Sequence, residues 1–74
     1  MSKPTQPPVW RQPTGTPVSC VEKIKVLNDN YRELQQIAQD AFEDALLMEC
    51  DERQIRQVLH ELVDSLHNPY AKPK

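Results

Sequence analysis

Residues 19–48 read SCVEKIKVLNDNYRELQQIAQDAFEDALLM, and their periodicity decides the fold class. Apolar or small residues recur at Cys20, Ile24, Leu27, Tyr31, Leu34, Ala38, Ala41, Ala45 and Met48 in alternating steps of four and three. That is the heptad spacing of a helical seam, and Ile37 and Phe42 widen it toward the C-terminal half. Ser19 followed by Glu22 has the capping-box pattern, and Pro17 ends the extended chain before it. The stretch therefore predicts helix 1 over residues 20–48. Its weakest point is Asn28-Asp29-Asn30, three poor helix formers in a row. These lie opposite the seam, so a continuous helix exposes all three to water. The alternative is a break there, with Asn30 capping a separate helix.

Working outward toward the C-terminus, Glu49-Cys50-Asp51 is read as a turn over residues 49–51. Asp51 with Gln54 repeats the capping-box logic, with an acidic cap suited to the helix dipole. Helix 2 is predicted over residues 52–67, with Ile55, Val58, Leu59, Leu62, Val63 and Leu66 on one face and Asn68-Pro69 as its stop. No Gly or Pro enforces the turn, and the heptad frame continues through Ile55, Leu59, Leu62 and Leu66. A single long coiled-coil helix is thus the competing architecture. The breadth of the second stripe favours an antiparallel hairpin, with Leu62 inside its packed face. The fold class expected is all-α: a two-helix antiparallel hairpin that dimerises into a four-helix bundle.

Toward the N-terminus, residues 1–18 combine Pro, Thr, Gln and the only glycine without periodicity, and read as a disordered Pro-rich tail. Residues 69–74 read as a disordered basic end. Seven prolines lie in these two ends, so roughly fifty residues must supply the whole core, which leaves a single small domain at the margin of stability. Helix 2 is too short to cover the start of helix 1. Cys20, Ile24, Leu27 and Tyr31 must then be buried by the tail or by a second subunit.

Trp10, the only tryptophan, follows the stiff pair Pro7-Pro8. It can fold back on its own helix or anchor a partner at small entropic cost. The stretch Thr14-Gly15-Thr16-Pro17, read as a flexible linker, favours the partner anchor. Candidate partner-binding residues are accordingly Pro7, Pro8, Trp10, Ile24, Leu27 and Tyr31, together with Asp40, Glu43 and Asp44 as a stripe for a basic partner.

Charge limits the function classes. The net charge is −2, with both tails basic and an acidic body between them, which argues against binding a phosphate backbone. Cys20, Cys50, His60 and His67 lack metal-site spacing, so no metal and no cofactor is expected. Cys20 sits in the seam as a small hydrophobe, whereas Cys50, beside a helix N-terminus, is the candidate reactive thiol. Carboxylates on an open helix have no pocket to make them catalytic, and no phosphate-cradling glycine loop or serine nucleophile pattern occurs. With no membrane-length apolar run and no signal-peptide core, the expected location is the cytoplasm.

The expected architecture resembles the two-helix hairpins that dimerise into four-helix bundles, a group that includes small plasmid RNA-binding copy-number regulators. That resemblance implies a dimer, with RNA binding as the alternative to a protein partner. The reading reached from the residues is a non-enzymatic protein–protein interaction or adaptor protein that also self-associates. The alternatives are a small RNA- or DNA-binding regulator and, third, a thiol redox sensor using Cys50.

Overall fold

A computed structural model of the protein describes residues 6–71. It is all-helical, with α1 over Val21–Leu47 and α2 over Glu52–Asp64. The chain divides into two compact units, Met1–Asp40 and Ala41–Lys74, and each is built on its own logic. Among the described residues none is fully buried.

In the first unit, α1 runs without interruption through Asn28-Asp29-Asn30, so the alternative break does not occur. The carbonyl of Cys20 accepts the first helical hydrogen bond, from the Ile24 N–H at 3.0 Å. This places the cap at Cys20, one residue after the Ser19 expected from the sequence pattern. Helix continuity through three poor helix formers has two visible supports. The Asp29 carboxylate accepts a 2.6 Å bond from Lys25 Nζ one turn earlier, and the Asn28 amide oxygen accepts one from Trp10. Asn28 and Asp29 are consequently half-covered, not fully exposed as the sequence position suggested.

Thr14-Gly15-Thr16-Pro17 does not form the flexible linker expected from its composition, because residues 10–18 are ordered together. They fold into a small hairpin-like loop with a single antiparallel bridge between Arg11 and Pro17. The Gly15 N–H donates to the Gln12 carbonyl, the Gln12 N–H to the Thr16 carbonyl and the Val18 N–H to the Trp10 carbonyl, each at 2.8 Å. This is the pattern of a three-residue hairpin loop, with Pro13 pre-setting the turn and a left-handed residue closing it. Gly15, at φ 92°, fills that last position. Arg11 adds a bond from its guanidinium to the Gly15 carbonyl at 2.9 Å. Glycine and proline read as linker composition, but at these spacings they specify a turn. Pro7 and the loop-end residues Trp10 and Val18 come out half-buried.

The second unit is a helical hairpin made of the end of α1, from Ala41, and α2. Its turn is a Schellman closure: the Glu49 N–H bonds the Leu46 carbonyl at 3.1 Å and the Cys50 N–H bonds the Ala45 carbonyl at 2.9 Å. Glu49 occupies the left-handed position at φ 67°, a place where glycine is the usual occupant. The absence of glycine thus left the turn unmarked in the sequence without preventing it. Asp51, extended at φ −67° and ψ 134°, caps α2 by accepting the Gln54 N–H, and Asp51 Oδ2 lies 2.9 Å from that nitrogen.

Helix α2 ends at Asp64, short of the expected His67. The Ser65 hydroxyl donates to the Leu62 carbonyl at 2.7 Å, and the Ser65 N–H reaches back to Glu61 and Leu62. Such local serine bonds compete with continued helix, and Pro69 disfavours helical backbone just before it.

Candidate interaction site

Two side-chain assemblies result, one in each unit. In the first, Trp10 lies against α1, donating its indole N–H to Asn28 Oδ1 at 2.6 Å. Its ring meets Tyr31 edge-on, with centroids 6.3 Å apart and planes at 73°. This is the favourable arrangement of aromatic quadrupoles, with the polar tip of the indole satisfied. Pro7, Pro8, Val18, Ile24 and Arg32 line an open groove around Trp10 and Asn28. The half-covered positions of α1 here are Ile24, Leu27, Asn28, Asp29, Tyr31 and Gln35. Most fall at the helical spacing of one face, so the first turns of the seam are met by the chain's own N-terminal segment.

Of the proposed partner-binding residues, the structure therefore brings Pro7, Pro8, Trp10, Ile24 and Tyr31 together on the same chain, with Leu27 half-covered beside them. Trp10 is an internal strap where the sequence favoured a partner anchor. Asn28 is the member that sequence reasoning missed. It was read as a helix-weakening residue, and nothing in the local sequence ties it to a tryptophan eighteen positions earlier.

Electrostatics in this unit are confined to its surface. The Asp29 carboxyl is held below the usual carboxylate range, first by the hydrogen bond from Lys25 and then by its charge, with Arg32 contributing. Lys25 is raised by the same bond and charge. Both groups lie in water, so the pair serves helix continuity more than overall stability.

In the second unit the half-buried residues are Phe42, Ala45, Ile55 and Leu59. The Arg56 guanidinium sits 4.7 Å above the centre of the Phe42 ring while its Nε bonds Glu52 Oε2 at 3.0 Å. The Glu52–Arg56 pair follows from its spacing of four residues. The cation–π contact that carries Arg56 from α2 to α1 was not legible, because it depends on how the hairpin closes. The remaining apolar stripe of α2 is open, with Val58 48% exposed, Leu62 59% and Val63 63%, and Leu66, just past the helix end, is 73% exposed. Leu62 and Leu66, expected in the packed face of the hairpin, stand outside it. Leu46 at 40%, with Leu47 and Met48 near the turn, extends the exposed apolar surface of the same unit.

Asp40, Glu43 and Asp44 are exposed along α1, with Asp40 Oδ1 accepting a 2.8 Å bond from Gln36 Nε2. They are not gathered into a pocket with one another. Cys20 and Cys50 are free and exposed. Cys20 thus caps α1 at the surface where the sequence placed a small buried hydrophobe. Among the described residues no group of three or more His, Cys, Asp or Glu side chains could hold a metal ion. No helix among them is long and apolar enough to cross a membrane.

Compared with known proteins, the chain matches no family model, no curated protein and no solved structure. The functional reading accordingly rests on its own geometry.

Proposed function

We propose that this is a non-enzymatic protein–protein interaction protein, whose helical hairpin works by presenting the open apolar stripe of α2 to another polypeptide. The observation that supports this most is the exposure of Val58, Leu62 and Val63 on α2, with Leu66 exposed just past its end. Several large apolar side chains left open on one helix, with carboxylates beside them, are a usual mark of an association face.

The second reading is a homodimer in which two such hairpins form a four-helix bundle. It is favoured by Leu34 and Ile37, seam residues that are 66% and 65% exposed, in a chain of a size that often needs an oligomeric partner for stability.

The test is affinity capture with the purified chain and with a Leu62→Glu/Leu66→Glu double variant, run beside sedimentation equilibrium of both. Because these positions are exposed, the substitutions should change the chain's own helicity little. Partners retained by the wild type and lost by the variant, or a dimer that the variant abolishes, support an interaction function. Equal retention and equal mass in both would overturn it.

A further inference from the structure

We infer that, given a hairpin that works by binding, its occupant is a basic amphipathic helix of another protein, seated on the α2 stripe. The choice follows from charge within the second unit. Residues 41–74 carry seven carboxylates against Arg53, Arg56, Lys72 and Lys74, leaving −3. Residues 1–40 carry four carboxylates against five basic side chains, leaving +1. The acidic charge of the chain is therefore concentrated where its apolar stripe is open.

The geometry of the stripe fits a helix. Val58 and Leu62 stand one turn apart on α2, the spacing that a partner helix presents in return, and Leu66 lies just past the helix end. Glu61 borders Val58 at three residues' distance, placing a carboxylate at the edge of the apolar strip. The basic side chains on α2 itself are Arg53 and Arg56, and Arg56 is already held by Glu52 and Phe42. A ligand with leucine-like side chains on one face and Lys or Arg on its flanks would satisfy both features at once. A second copy of this chain would bring −3 against −3, and like charges facing each other across an interface select against that pairing.

The experiment uses the full chain and a synthetic Leu/Lys amphipathic helix of roughly 18 residues, about five turns, with binding read by fluorescence anisotropy of a label on the peptide. Two control peptides are a Leu/Glu version and a scrambled Leu/Lys version without a helical stripe. The basic amphipathic peptide is expected to bind at least tenfold more tightly than either control at about 0.05 M salt, and to weaken by about 0.5 M salt as charges are screened. Leu62→Glu is expected to lower its affinity roughly tenfold, about 1.4 kcal/mol, even though the variant is one unit more acidic. Glu61→Lys is expected to lower it as well.

Equal binding of the scrambled peptide, or affinity unchanged by Leu62→Glu, would overturn the proposed occupant. So would a chain that binds no peptide but sediments as a dimer lost in the Leu62→Glu/Leu66→Glu variant, an outcome that leaves the interaction function standing. A monomer that binds no peptide and captures no partner would end both.

Discussion

Removing the Trp10 side chain should loosen the N-terminal strap and leave the hairpin of the second unit folded. An aromatic residue of this size carries about 200 Å² of buriable surface. If about 150 Å² of it is withdrawn from water, burial contributes about 3 to 4 kcal/mol at ~25 cal/mol per Å². That is an upper bound, because the unfolded chain already shields part of its apolar surface. The edge-on contact with Tyr31 and the bond to Asn28 are lost together with that area, so their energies overlap it. A net loss of about 2 to 3 kcal/mol for Trp10→Ala is expected, compared with about 3 to 5 for a fully buried tryptophan. Trp10→Phe keeps the ring and removes only the donor, and should cost about 1 kcal/mol.

Since Trp10 is the only tryptophan, its emission reports the strap without ambiguity. The wild type should emit at a blue-shifted wavelength that moves red in urea, and Asn28→Ala should shift it partway in the absence of urea. Hydrogen exchange over Lys23–Gln35 should speed up in Trp10→Ala, while exchange in α2 stays the same. Water-exposed emission in the native protein, or exchange unchanged by Trp10→Ala, would refute the strap.

Glu49→Gly should stabilise the hairpin by about 0.5 to 1 kcal/mol in a urea melt followed by helicity. The left-handed penalty it relieves, roughly 1 to 2 kcal/mol, exceeds the roughly 0.5 to 1 kcal/mol of added unfolded-state freedom. Gly15→Ala should act in the opposite direction, weakening the strap by about 1 kcal/mol; there is open space for the new methyl, so backbone conformation alone sets the effect, and Trp10 emission measures it. The lowered Asp29 carboxyl gives a contribution present above its unfolded pKa and lost as pH falls through the folded one. Raised Lys25 gives one present below its unfolded pKa and lost as pH rises through the folded one, so a carboxyl NMR titration should find Asp29 below the usual range and returning toward it in Lys25→Gln.

The elements that a single segment encodes were legible. The seam from Cys20 to Met48 gave α1 within one residue at each end, and the Asp51 cap and the Glu52–Arg56 pair followed from spacing. What depends on distant residues was not. Composition reads Thr14-Gly15-Thr16-Pro17 as a linker, yet Pro13 and Gly15 occur at the offsets a three-residue hairpin requires. Asn28 was read from helix propensity, which is a weak prior once a tertiary contact such as the Trp10 bond exists. Leu62 was assigned to the packed face because periodicity identifies an apolar side but not how far its neighbour covers it. The same limit hid the role of Arg56, whose contact with Phe42 exists only after the hairpin has closed.

The claim that the α2 stripe is a binding face is tested most directly by methyl NMR of the chain as the basic amphipathic peptide is added. Val58, Leu62, Val63 and Leu66 should shift together along one binding curve. Val21, 79% exposed in the first unit, should stay fixed as an internal control. Shifts spread equally over Val21 and the α2 methyls, or no shift at any of them, would contradict the account.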